Sequence, residues 1–149
     1  MRTMNRIIKF RGISSDERYP GFYFGSLRTI RNFGSVYCTI FDEYVPNQIS
    51  MNVYPETVGQ FIGLKDIKSN EIYEGDILEV TKAFGEDPNF KVGNTFEVKY
   101  SDDLATFYIT PFDKNTTKET LYYLISKDIV EERGFRIIGN IYQDQEKYK

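Results

Sequence analysis

Apolar and polar side chains alternate in short runs along most of this chain, and glycine, proline and Asn/Asp clusters separate the runs. In residues 6–11, Ile8 and Phe10 alternate with Lys9 and Arg11, the period-two signature of a strand that buries one face. A first strand is therefore predicted to begin near Ile7. Tyr19-Pro20-Gly21 reads as a turn, 22–27 as a strand, 31–34 as a second punctuation and 36–41 as a further strand, together a β-meander. The segment 42–48, with Pro46 and Asn47, interrupts the pattern before 49–53 resumes it. Pro55 suits the first position of one helical turn, which Gly59 ends.

Residues 60–64 and 71–73 read as paired strands flanking turn residues 65–70, with Gly63 counted among the turn-forming positions. Gly75 then bends the chain into a strand at 77–80, because a sharp bend often needs a positive φ that residues with a Cβ adopt reluctantly. Asp76 is expected to accept backbone N–H bonds at that bend. The stretch 81–94 lacks periodicity and is predicted to be a long, mobile loop. Residues 95–100 and 105–110 form a predicted hairpin with Phe96, Val98 and Tyr100 on one face. Beyond it, Thr116 and Glu119 have capping-box spacing, and Leu121, Leu124 and Ile125 recur at helical spacing, predicting a short helix over 120–126. Residues 135–142 return to strand-like composition, and 143–149 form a polar tail.

Composition strengthens the β reading. Twelve Tyr and twelve Phe occur without a Trp, and such rings favour half-buried strand surfaces. At 149 residues the chain suits one domain, long enough to bury about two-thirds of its unfolded surface. No run of roughly 18 apolar residues occurs, and no long apolar stretch follows the first arginines, so no membrane partner and a cytoplasmic location are expected. Cys38 lies inside a strand-like run and reads as a small buried thiol. Asn115-Thr116-Thr117 matches a glycosylation sequon but marks only a loop in that setting.

Charge is divided along the chain. Residues 1–31 carry seven basic and two acidic side chains, net +5, and the remainder twelve against twenty, net −8. A basic section can face nucleic acid. It can equally join the acidic surface of another copy.

The candidate chemistry is narrow. With no histidine, Ser-His-Asp and Cys-His catalysis and His-bearing zinc sites are excluded within one chain. Neither the Walker spacing nor the dinucleotide fingerprint is found. Glu71, Glu74, Asp76 and Glu79 could suggest an oxygen-rich cation site, but an EF-hand loop begun at Asp66 fails at Lys68, Glu71 and Ile77. Solvated strand edges and turn capping explain these carboxylates better, so no catalytic residue, metal or cofactor is assigned. A carboxylate acid–base enzyme would need two acids converging in one cleft. Tyr19, Phe22, Tyr23, Phe24, Arg28, Arg31 and Phe33 form the one stretch where rings and arginines interleave, a composition suited to stacking on single-stranded bases or to protein contact. From it and the adjoining Arg18, the residues Arg18, Tyr19, Tyr23, Arg28 and Arg31 are taken as the candidate binding surface.

Residues 6–11, 56–66, 71–77 and 138–142 together resemble the YopX family of bacteriophage and prophage proteins, four blocks in the family's order. Members often carry Trp-Asp where this chain has Gly12-Ile13, an Asn-Gly turn where it has Ser69-Asn70, and Glu-Asn-Pro where it has Gln143-Asp144-Gln145. The resemblance implies a β-rich, barrel-like fold, phage or prophage origin and self-assembly, and it carries no established activity to any residue. The expectation is a mainly β single domain of short antiparallel strands, an SH3-like or partly open barrel with one or two helical turns. Within it, a meander over 1–54 packs on a core over 55–142. Its expected role is non-catalytic: binding to itself and to host or phage proteins, with single-stranded nucleic acid as the alternative partner.

Overall fold

A computed structural model describes residues 5–42, 50–112 and 122–142. The chain clusters into two compact units, Met1–Gly63 and Leu64–Lys149. The fold is mainly β, made of antiparallel strands in two sheets that do not close into a barrel.

In the first unit, β1 (Phe10–Ile13), β2 (Phe22–Asn32), β3 (Ser35–Phe41) and β4 (Ser50–Val53) form the expected meander, and β5 (Gly59–Lys65) returns to pair with β1. The first strand starts later than the alternation suggests. Ile7 and Ile8 are exposed, and the ladder begins at Phe10, the first residue with Cα partners on both sides, Gly25 and Gln60. A larger correction concerns β2, which continues through Arg28–Arg31 as an eleven-residue strand instead of ending near Leu27. The punctuation expected over 31–34 contracts to a two-residue turn at Phe33-Gly34, both with positive φ, which suits the twist of a hairpin.

The core of this unit is Cys38, Ile40 and Val53, against which Phe10, Tyr23, Leu27 and Val58 pack. A single helical turn follows at Pro55–Thr57, as proline predicts. Thr57 fixes it by accepting the Ile13 N–H at 2.9 Å and donating to the Tyr54 carbonyl at 2.7 Å. Gly25 has no alternative at its position, because a Cβ there would fall on the Phe41 carbonyl oxygen at φ +154.

In the second unit, β6 (Glu71–Tyr73) and β7 (Asp76–Glu79) are joined by the predicted bend. Gly75 has φ +81, and the Asp76 carboxylate, 1% exposed, accepts the Tyr73 N–H at 2.8 Å. A five-stranded sheet runs β10 (Tyr123–Leu124), β9 (Thr106–Pro111), β8 (Thr95–Ser101), β7, β11 (Arg136–Asn140). Gly63, by contrast, lies inside β5 with φ +87 and makes a kink in a strand, not the turn. The left-handed turn residue after β5 is Ser69, at φ +67.

Two local expectations fail for non-local reasons. Tyr123 and Leu124 pair with Ile109 and Tyr108 of β9, so sheet pairing claims residues whose spacing also fits a helix. The helix instead is α1 (Lys127–Arg133), capped by Ser126, whose hydroxyl accepts the Ile129 N–H, and ended by Gly134 at φ +59. The capping-box pair Thr116 and Glu119 and the tail 143–149 lie outside the described residues. The loop expected over 81–94 is anchored by Phe90, 5% exposed, which stacks on Phe96 at 4.9 Å and meets Tyr123 edge-on at 4.7 Å. Its backbone is held as well, with the Thr81 and Lys82 N–H groups both donating to the Arg133 carbonyl.

Candidate interaction surface

The β2–β3 hairpin outgrows its sheet. β1 pairs with β2 only as far as Gly25, and β4 pairs with β3 only from Cys38 onward. Between those limits the hairpin is a two-stranded ribbon, closed by Phe33-Gly34, whose register runs from Thr29↔Cys38 to Asn32↔Ser35. Residues 28–37 are all exposed. At about 3.4 Å per residue, the five residues from Arg28 to Asn32 extend roughly 17 Å.

Its side chains are not those of a solvated ribbon. Ile30, Val36 and Tyr37 are exposed, and Phe33 at the tip is 103% exposed. Ile30 stands opposite Tyr37 on one face and Val36 opposite Arg31 on the other. Residues 22–41 contain Arg28 and Arg31 and no acid, and among the described residues neither guanidinium forms an ion pair. Phe33 also holds φ +47, a region where Asn or Gly is favoured and a bulky ring is an outlier.

The expected binding residues do not form one patch. Arg28 and Arg31 sit on this arm, on opposite faces, since they are three positions apart in a strand. Arg18 and Tyr19 belong to the turn after β1. There the Arg18 guanidinium donates to both oxygens of Asp16, at 3.0 and 2.7 Å, and lies 5.7 Å from the Tyr19 ring centre. The same Arg18 contacts, led by the side-chain hydrogen bond, hold the Asp16 carboxyl below its ordinary value. Tyr23 packs on the core, which removes one face of its ring from any stacking role.

Ile30, Val36 and Tyr37 are the additions that sequence reading missed. The available signal was the absence of acids through 22–41 together with apolar residues on both parities of the strand. A ribbon buried on one side would carry polar residues at alternate positions.

Three of the four central carboxylates serve a structural partner. Glu71 accepts the Tyr73 hydroxyl at 2.7 Å, Glu79 pairs with Arg136, and Asp76 caps the bend. Among the described residues no three Cys, Asp or Glu side chains gather as a cation site. Asp66, 5% exposed, is held by four hydrogen bonds. Its carboxylate accepts N–H groups of Lys68 and Asn70 at 2.9 Å, the Asn70 amide at 3.2 Å and the Ile137 N–H at 3.1 Å. Burial alone would raise its pKa, but these hydrogen bonds together outweigh it and hold the group below its ordinary value.

Comparison with known proteins agrees with this architecture. No curated protein matches the chain. The crystal structure of protein EF1440 from Enterococcus faecalis is similar in fold, with a TM-score of 0.55 at 19% identity, over 96% of this chain and 99% of that one. The YopX protein family model matches residues 9–148, nearly the full length, and the chain therefore belongs to the YopX family.

Proposed function

We propose that this YopX-family protein is a non-catalytic accessory protein of a phage or prophage. It acts in the host cytoplasm by binding proteins, its own copies included, through the β2–β3 arm. The observation that carries this reading is the ten-residue ribbon 28–37, exposed on both faces, in which Ile30, Phe33, Val36 and Tyr37 accompany two arginines. Exposed apolar side chains gathered on one element lower the solubility of a monomer, and such patches mark contact surfaces. Interfaces are enriched in aromatic residues and arginine, which are the residues the arm presents. The net +5 of residues 1–31 against the net −8 of the remainder gives copies of the chain an attraction for one another that salt weakens.

Static light scattering tests it. The mass should exceed that of a monomer at low ionic strength and fall toward it as salt rises. Exchanging both Arg28 and Arg31 for Glu should give a monomer throughout. A wild-type chain that stays monomeric at every ionic strength and concentration contradicts self-association.

The arm also favours a second reading. A two-stranded ribbon bearing arginines and rings can lie along single-stranded nucleic acid, with bases stacked on the rings. Mobility-shift assays at low salt check it, and failure to retain single- or double-stranded probes removes it.

A further inference from the structure

We infer that the arm tip of one copy docks into a tyrosine-lined cleft on the β8–β9 hairpin of a second copy, in a heterologous contact that can propagate head to tail. This rests on the reading of the arm as a contact surface and adds the acceptor. The cleft, about 470 Å³, lies on the outward face of the second unit's sheet and is walled by Leu104, Tyr108 and Tyr122 with Lys99, Asp103 and Thr110. The alternation that buries Val98 and Ile109 directs Lys99, Tyr108 and Thr110 outward. Tyr108 and Tyr122 meet edge to face with centroids 5.9 Å apart, and Tyr122 and Leu104 are 59% and 52% exposed.

Three observations select the tip of another copy as its occupant. The first is size and chemistry. A cavity of about 150 Å³ holds a benzene ring, so this cleft admits the Phe33 ring with room for a neighbouring arm side chain, and a third ring extends the edge-to-face pair.

The second is charge. The arm carries Arg28 and Arg31 and no acid, whereas Asp103 lines the cleft and its neighbour Asp102 is exposed in the same turn. Among the described residues of the lining the one cation, Lys99, is already paired with Glu97 at 3.3 Å.

The third is the cost of Phe33 as it stands. The ring is fully exposed in a left-handed conformation where Asn or Gly would serve the turn better. Turn geometry does not explain its presence, and insertion beside the Tyr108 and Tyr122 rings does.

Because arm and cleft are different surfaces, each copy keeps one of each after pairing, which is how rings or filaments form. Two surface variants test this by sedimentation velocity at low salt. Phe33→Asn keeps the turn and removes the knob; Leu104→Arg fills the cleft and repels the arm's arginines. Each alone should associate about tenfold or more weakly than wild type, as removal of a buried interface ring does. Mixed in equal amounts they should form a one-to-one pair and nothing larger, since only one knob and one cleft remain.

If Phe33→Asn weakens association but Leu104→Arg does not, the acceptor is elsewhere and this inference falls while the arm reading stands. If neither variant changes the assembly, both fall. Two weakened variants that do not pair on mixing contradict the head-to-tail arrangement. A wild type that is monomeric yet retained on single-stranded nucleic acid overturns it in favour of the other partner.

Discussion

Asp66 gathers four hydrogen bonds, three from the turn after β5 and one from β11, so one carboxylate ties two backbone segments of the second unit together. Asp66→Ala strands buried N–H groups and should cost on the order of 3 kcal/mol, read from urea unfolding at pH 7. The effect has a pH signature. The folded pKa lies below the ordinary 3.8, so the ionised group's contribution is complete above 3.8 and is lost as pH falls through the folded value. The gap between wild type and Asp66→Ala should therefore narrow below pH 4. A gap that stays constant down to pH 2 contradicts the assignment. Ser69, in the same turn, holds φ +67 at a position where relatives often place Asn-Gly. Ser69→Gly relieves the left-handed strain at some entropic loss and should stabilise by about 0.5 kcal/mol. A lowered melting temperature contradicts that.

Among the elements, those announced by local residues were legible in the chain. Pro55 starts its helical turn, Gly75 and Asp76 make their bend, and the alternation of Phe96 and Val98 gives a strand with the right face inward. What sequence alone leaves open is pairing at a distance. Leu121, Leu124 and Ile125 fit a helix as well as an edge strand, and only the ladder with β9 decides for Tyr123-Leu124. The arm was half legible for the same reason. Its arginines and Phe33 stood out, but the exposure of Ile30, Val36 and Tyr37 depends on β1 and β4 stopping short beside it. Gly25 marks where β1 stops pairing with β2, close against the backbone of β3. Gly25→Ala should cost about 3 kcal/mol or more, since relief requires the strands to separate. Circular dichroism showing an unchanged melting temperature contradicts the close approach.

For the whole molecule, a chain of net charge −3 divides into a basic beginning and an acidic remainder, and its exposed ribbon straddles the boundary, with both of its charges, Arg28 and Arg31, in the basic part. A lone two-stranded ribbon is marginal in water, so residues 28–37 should open readily in a monomer and be held in an assembly. Hydrogen exchange as a function of protein concentration measures this most directly. Amides of residues 29–37 should exchange more slowly at high concentration and low salt, and recover fast exchange on dilution or in Phe33→Asn. Exchange in the arm that is the same at every concentration and in both chains contradicts the claim that the arm is the contact surface.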